Sequence, residues 1–219
     1  MSCNCTLHKF PLISTSTGRK FRPVEAALTF KQKGTITMLS NNILTLRPTK
    51  HDDIADYRRW LIDEPNPNDW DVAWDGDDDD EAYIQSLQDD IGEEEDIYYH
   101  LEVDNEKSQH IGWVSAYFLD EQRTKLCVGI DLPTAERRKG YGENALALYV
   151  SYLFSLHNID AIYTNTLSGN EPMVNLAKKV GFEVDHITPA VVTLRGQAYD
   201  GLRFGITREV FFTKYSCQK

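Results

Sequence analysis

The sequence predicts an α+β domain built on a mixed, mostly antiparallel sheet flanked by helices. Three observations carry this: a run of three strands with period-2 alternation, a closing hairpin, and the element order βααβββαβαββ. That order lacks the regular strand–helix alternation of a doubly wound parallel sheet. At 219 residues the chain fits one mid-sized domain with an appendage.

The first strand is "ILTLRPT" from Ile43, ended by Pro48. Thr49 and Asp52 form a capping box for a helix with Ile54, Ala55, Arg58 and Leu61 on one face. A loop rich in Pro, Asn and Trp follows, "DEPNPNDWDVAWDG". A second helix starts near Asp79, with Tyr83, Ile84, Leu87 and Ile91 at helical spacing. Then Ile97, Tyr99, Leu101 and Val103 alternate in a strand, "NEKSQ" is a hairpin turn, and "HIGWVSAYF" returns. In "LCVGIDL", Leu126, Val128, Ile130 and Leu132 share one face and Cys127, Gly129 and Asp131 the other. A helix over Tyr141–Leu156 buries Leu146, Tyr149, Val150 and Leu153. After the strand "DAIYTNTL", Asn170 caps a short helix carrying Met173, Leu176, Ala177 and Val180, which Gly181 ends. "PAVVTLR" and "LRFGITREVFF" close the chain as a long hairpin.

The net charge of -11 is unevenly placed. Residues 1–38 hold six Lys or Arg and one acid, Glu25, a net +5 that leaves -16 on the remainder. We therefore divide the chain into a basic N-terminal extension, 1–38, and a domain, 39–219. No Lys or Arg occurs between Arg59 and Lys107, where "DGDDDDE" and "GEEED" stand out. Acidity argues against nucleic-acid binding. The chain lacks both the roughly 20-residue apolar run of a membrane span and an apolar signal core, so a cytoplasmic protein is expected. The four cysteines have no zinc-knuckle spacing, and no metal is expected.

Chemistry concentrates in "RRKGYGENA", Arg137 to Ala145, between a strand and a helix. Gly140 and Gly142 let backbone N–H groups approach an anion, and the helix N-terminus adds positive charge. Arg137, Arg138 and Lys139 precede that turn. The alternative is a tight turn with solvated bases. A P-loop would need Gly-Lys-Ser/Thr, which is missing. A dinucleotide fingerprint, Gly140-x-Gly142-x-x-Ala145, is formally present, but Asp160 precedes its strand instead of ending it, and further βαβ units are absent.

The run "IDLPTAERRKGYGENAL" resembles the acetyl-CoA-binding motif of the GCN5-related N-acetyltransferases, Arg/Gln-x-x-Gly-x-Gly/Ala, through Arg137, Gly140 and Gly142. "NTLSGNEPMVNLAKKVGFE" is similar to a second element of that family, through Asn170, Met173, Leu176, Lys179, Gly181 and Phe182. The opening "LTLRPTKHDDIADYRRWL" and the closing hairpin look like the branch that modifies ribosomal-protein N-termini on alanine or serine. The resemblance spans about Leu44 to Phe212.

It implies a sheet splayed where the strand before the glycine loop pairs with the pantetheine arm, at Asp131 and Leu132. Amides of Arg138, Lys139, Gly140, Tyr141 and Gly142 would hold the pyrophosphate, and Asn170 the arm, unless it is only an N-cap. The implied reaction is direct attack of an amine on acetyl-CoA, with the Leu132 N–H on the thioester carbonyl. The familiar acid positions hold Ala177 and Met173, so Ser168 or a water would substitute. Asp131 is the first candidate base, against a solvated strand-end carboxylate; Glu102 and His100 come next. The acceptor, a small cationic molecule or a protein N-terminus, would meet Trp70, Trp74 and Asp75. The Asp run itself reads rather as a solvated helix cap. Expected partners are acetyl-CoA and the amine, with no nucleic acid or membrane, in a monomer or homodimer. The competing reading is a catalytically weak CoA-binding module in a regulatory role.

Overall fold

The computed structural model describes residues 38–63, 70, 80–92, 99–194 and 196–216. Among these, eight strands form one sheet: β1 (Leu39–Ser40), β2 (Leu44–Arg47), β3 (His100–Asn105), β4 (His110–Phe118), β5 (Leu126–Asp131), β6 (Ala161–Leu167), β7 (Glu183–Leu194) and β8 (Gln197–Thr207). Their spatial order is β1-β2-β3-β4-β5-β6-β8-β7. Every neighbouring pair is antiparallel except β5–β6. The helices are α1 (Ile54–Arg58), α2 (Asp80–Asp89), α3 (Tyr141–Leu156), α4 (Glu171–Val180) and α5 (Arg208–Ser216). No helix of the described residues is long and apolar enough to cross a membrane.

The main core lies where the apolar face of the sheet meets α3 and α4. Leu46, Val103, Val114, Leu126 and Ile162 from the strands pack with Leu146, Tyr149, Val150 and Leu153 of α3, all fully buried. A smaller cluster covers the other face, with Trp113 beneath Tyr57 of α1 and Ile84 and Leu87 of α2. The Tyr57 and Trp113 rings are 4.7 Å apart. α4 starts where Asn170 Oδ1 accepts the Met173 N–H and stops at Gly181, whose φ is +109°.

Four expectations need correction. Thr49 and Asp52 do not form the capping box. Thr49 Oγ1 donates to Glu102, and Asp53 instead accepts the Lys50 N–H at 2.7 Å. A 3-10 turn, His51–Asp53, therefore leads into α1, and a π turn, Arg59–Asp63, follows it. The last strand does not reach Phe212. It ends at Thr207 because Arg208 donates to the carbonyls of His157 and Ile159, and Phe211 is buried against Phe154 and Tyr215 one helical turn apart. Ile91 lies beyond the end of α2. The closing hairpin also starts earlier than expected, at Glu183, with Pro189 in an irregular stretch of the edge strand β7.

Two irregularities shape the centre of the sheet. β5 and β6 pair only at Leu126–Ile162 and Cys127–Tyr163. Beyond those pairs their carboxyl ends diverge, giving the splay that the family resemblance implied. In β4, Ile111 and Gly112 together oppose Val103, a bulge between the Glu102–Trp113 and Asp104–His110 pairs. Gly112 has φ +132°, and a Cβ there would lie 2.1 Å from the Asp131 carbonyl oxygen. The bulge lets His110 and Trp113, three residues apart, reach the same side as Glu102.

Candidate active site

Past β5 the chain runs through a 3-10 turn, Thr134–Glu136, into the glycine loop. Arg138 and Gly140 adopt φ of +63° and +89°. Left-handed residues alternating with others turn successive N–H groups to one side, which makes an anion-binding concavity. α3 begins at Tyr141, so the positive end of a 16-residue helix points into it. Arg137 folds back, its Nε donating to the Leu132 carbonyl at 2.7 Å, and so ties the loop to the end of β5. Arg138 and Lys139 are exposed. Lys139 pairs with Glu136 at 2.9 Å. The Tyr141 hydroxyl donates to Glu106 at 2.9 Å and is pushed up to about 12 by burial and that carboxylate. At Gly142 a Cβ would rest 3.5 Å from Leu176, so α3 starts in contact with α4.

The far lip of the splay carries buried polar atoms without a protein partner: Thr164 Oγ1, Thr166 Oγ1 and Asn170 Nδ2. Asn170 is 0% exposed. Its Oδ1 caps α4 while Nδ2 stays unpaired, at a cost of about 1–3 kcal/mol for such a group. An arm bearing amide groups, such as pantetheine, would supply the missing partners, so these residues fit acetyl-CoA. Ser168 is exposed beside them, exchanging hydrogen bonds with the main chain of Asp200. Trp70 stands edge-on to Tyr199 at 5.2 Å and packs on Gly169, where a Cβ would come within 2.2 Å of its ring. Trp74 and Asp75 lie outside the described residues, as does most of the Asp run.

The opposite lip leads onto a polar floor. Glu102, Trp113 and Asp131 pair directly across β3, β4 and β5, so their side chains share the α1–α2 face. Asp131 is 8% exposed, a buried carboxylate and not a solvated strand end. Glu102 is 0% exposed. Burial alone would raise its pKa, but the His100 and His110 rings outweigh that and hold it well below the usual carboxylate range. Burial would lower His110, yet Glu102 and Asp53 raise it. The phenols of Tyr57 and Tyr83 are held far above their ordinary value by burial and by Glu102.

Arg47 closes this cluster from β2, with paired hydrogen bonds of 2.6–2.8 Å to both Asp53 and Asp104. Sequence reasoning named Glu102 and His100 but missed Tyr57, Tyr83, His110 and Arg47. The signal it had was the concentration of charge on a strand, His100-x-Glu102-x-Asp104, opposite "HDD". Among the described residues no group of three His, Cys, Asp or Glu is disposed to hold a metal ion.

The geometry agrees with the comparisons to known proteins. The family model for the acetyltransferase (GNAT) domain matches residues 44–183. A prophage-derived uncharacterized N-acetyltransferase of Bacillus subtilis strain 168, YokL, is 23% identical over 118 residues, 54% of this chain and 66% of that protein, just under two thirds of its length. A GNAT-family acetyltransferase from Bacillus anthracis superposes with a TM-score of 0.63 at 15% identity, over 79% of this chain and 99% of that one. A spermidine N-acetyltransferase from Vibrio cholerae, solved with CoA and spermine, gives 0.57 at 16% identity, over 77% and 98%. A candidate ribosomal-protein-serine acetyltransferase from the same organism gives 0.59 at 19% identity, over 78% and 97%. With the splay, the anion-binding loop and a family match over well more than half its length, the chain belongs to the GNAT family of acetyltransferases.

Proposed function

We propose that the protein transfers the acetyl group of acetyl-CoA to a primary amine, by direct attack of the amine within the splay. The observation that carries this is the divergence of β5 and β6 immediately ahead of the Arg138–Gly140 concavity. The unpaired Asn170 donor lies on the far lip.

Acetyl-CoA supplies the activated acyl carbon when bound. The N–H groups from Arg138 to Gly142 hold its pyrophosphate. The main chain at Asp131 and Leu132 and the Asn170 amide hold the pantetheine arm. The Leu132 N–H polarises the reacting carbonyl. Ser168, whose oxygen accepts from the Asp200 N–H, keeps its own proton for the leaving thiolate. It takes this part because Ala177 and Met173, at the familiar acid positions, are buried apolar residues.

The acceptor is a small cationic amine. The buried carboxylates Asp53, Glu102, Asp104 and Asp131 gather on this floor, and Asp131 shares its face with Trp113. Trp70, packed on Tyr199 and Gly169, lines the acceptor side. A structural neighbour solved with CoA and spermine supports this choice. A protein N-terminus is the second reading, favoured by the neighbour described as a ribosomal-protein-serine acetyltransferase and by the opening and closing segments of the sequence.

A panel of polyamines, aminoglycosides and alanine- or serine-ending peptides, with CoA thiol release as readout, tests the proposal. Release that depends on one of these amines is expected. Tight CoA binding with no turnover on any amine would instead make the chain a CoA-binding module.

A further inference from the structure

Glu102 is the centre of a hydrogen-bonded chain that the transfer chemistry above leaves unused. At its outer end, Asp56 Oδ2 lies 3.1 Å and Asp53 Oδ1 3.5 Å from His110 Nδ1. His110 Nε2 lies 2.8 Å from Glu102 Oε2. Glu102 accepts from the Thr49 hydroxyl at 2.6 Å and from the Tyr57 hydroxyl at 2.9 and 3.1 Å. Tyr57 Oη in turn lies 2.8 Å from His100 Nε2, with Glu102 Oε1 at 3.3 Å.

The donors and acceptors fix where the protons sit. Both nitrogens of His110 face carboxylates, so both carry protons. The Glu102 carboxylate can only accept, so the single hydroxyl hydrogen of Tyr57 points to it. Tyr57 Oη must then accept from His100, which places the proton of a neutral His100 on Nε2. Nδ1 keeps the lone pair and makes no hydrogen bond to the described residues. The His100 side chain is 22% exposed.

The register shows what this ring overlooks. His100 pairs with Ser115, and Ser115 with Gly129. Small residues, Ser115 and Gly129, therefore stand between His100 and the unpaired stretch of β5, two strand spacings or about 10 Å away, so a proton passing between them would travel through water. The nearby charged and titratable groups are Tyr57 from α1, Tyr83 from α2, Glu102 on its own strand and Asp131 from β5. Behind them stand Asp53, Asp56, Asp104, Arg47 and His110. Three cations, Arg47, Arg59 and His110, face four carboxylates there, Asp53, Asp56, Glu102 and Asp104.

We propose that His100, through Nδ1, takes the proton of the acceptor amine across bridging water, and that Glu102, Tyr57 and His110 are positioning residues that orient its ring. Asp131 then holds the ammonium and does not act as the base. This deepens the amine-acetylation reading and rests on it. The ammonium N–H bond breaks as the Nδ1–H bond forms. The freed lone pair forms the N–C bond to the acyl carbon as the C–S bond breaks. A second proton passes from that nitrogen to the thiolate through the Ser168 hydroxyl, and the imidazolium returns its proton to water. One ammonium and one thioester thus give one amide, one thiol and one proton. An imidazole suits this step because its ordinary pKa of about 6.5 lies near a neutral operating pH.

Nitrogen NMR of the labelled full-length protein, between about pH 5 and 9, tests the assignment without turnover. Neutral His100 protonated at Nε2, and His110 carrying both protons at neutral pH, are the expected result. A proton on His100 Nδ1 would overturn the proposal whether or not the protein acetylates amines. The second arm is the pH profile of kcat/KM on the fastest amine of the panel. His100→Gln should cost about 10²-fold or more and abolish the acid limb, leaving the KM for acetyl-CoA unchanged. Glu102→Gln, whose amide can donate to the Tyr57 oxygen and free its hydroxyl hydrogen for His100 Nε2, should lower kcat/KM and move the proton of neutral His100 to Nδ1 in the NMR arm. A purely structural role for Glu102 would lower activity and leave the Nε2 proton in place. Retention of the wild-type limb in His100→Gln would sink the idea. Should Glu102→Gln fail to fold, the His100 variant and the NMR arm still decide.

Discussion

Asn170 divides its amide between two tasks. Oδ1 accepts the Met173 N–H and starts α4, while Nδ2 is buried without a protein partner. The sequence motif left open whether this residue caps a helix or meets the cofactor; the two halves of one side chain allow both. Asn170→Asp should keep the cap but lose the donor, weakening CoA binding by about 10-fold with little change in melting temperature. Asn170→Ala should lose both, with an added cost of about 1 kcal/mol in stability. Calorimetric titration of CoA alongside thermal melts separates the two effects. Equal CoA affinity in all three proteins would remove Asn170 from the site. Asp131 shows the limit of reading single residues. Its place at the end of a strand left a candidate base and a solvated carboxylate both open, and Trp113 and the α1–α2 layer bury it.

At the level of elements, α3 and α4 were legible because their apolar residues recur at helical spacing and their ends carry glycine or asparagine. The glycine loop was legible for the same local reason. What alternation could not reveal is that the polar face of β3 is buried. His100, Glu102 and Asp104 alternate with Leu101 and Val103 as in a half-solvated strand, but α1 lies over them, anchored through Arg47. That guanidinium bridges Asp53, at the start of α1, to Asp104 on β3. Arg47→Met should leave both carboxylates buried without a counter-charge and destabilise the fold by about 3–5 kcal/mol, read from denaturant unfolding. A loss below about 1 kcal/mol would mean the pair behaves like an exposed ion pair. The final helix was missed because "REVFF" continues the strand pattern; only the contacts of Arg208 and Phe211 with distant residues turn it.

For the whole molecule, the acidic balance acquires a location. The sequence pointed to the Asp run, most of which lies outside the described residues, whereas Asp53, Asp56, Glu102, Asp104 and Asp131 gather on one face of the sheet. This cluster also sets a pH window for stability. Glu102 is depressed in the folded state, so its contribution is present above the unfolded value of about 4.3 and lost as pH falls. His110 is raised, so its contribution is complete below about 6.5 and fades as pH climbs through the folded value. The melting temperature should therefore peak between those limits, and His110→Gln should flatten the alkaline side. An unchanged alkaline slope in that variant would show that His110 is not the group responsible. The central claim is that the divergence of β5 and β6 receives acetyl-CoA ahead of the glycine loop. A crystal structure with CoA tests it most directly. We expect the pantetheine arm between Asp131–Leu132 and Asn170, with the pyrophosphate on the amides of Arg138 to Gly142. CoA bound elsewhere, or no density at that loop at saturating CoA, would contradict the account.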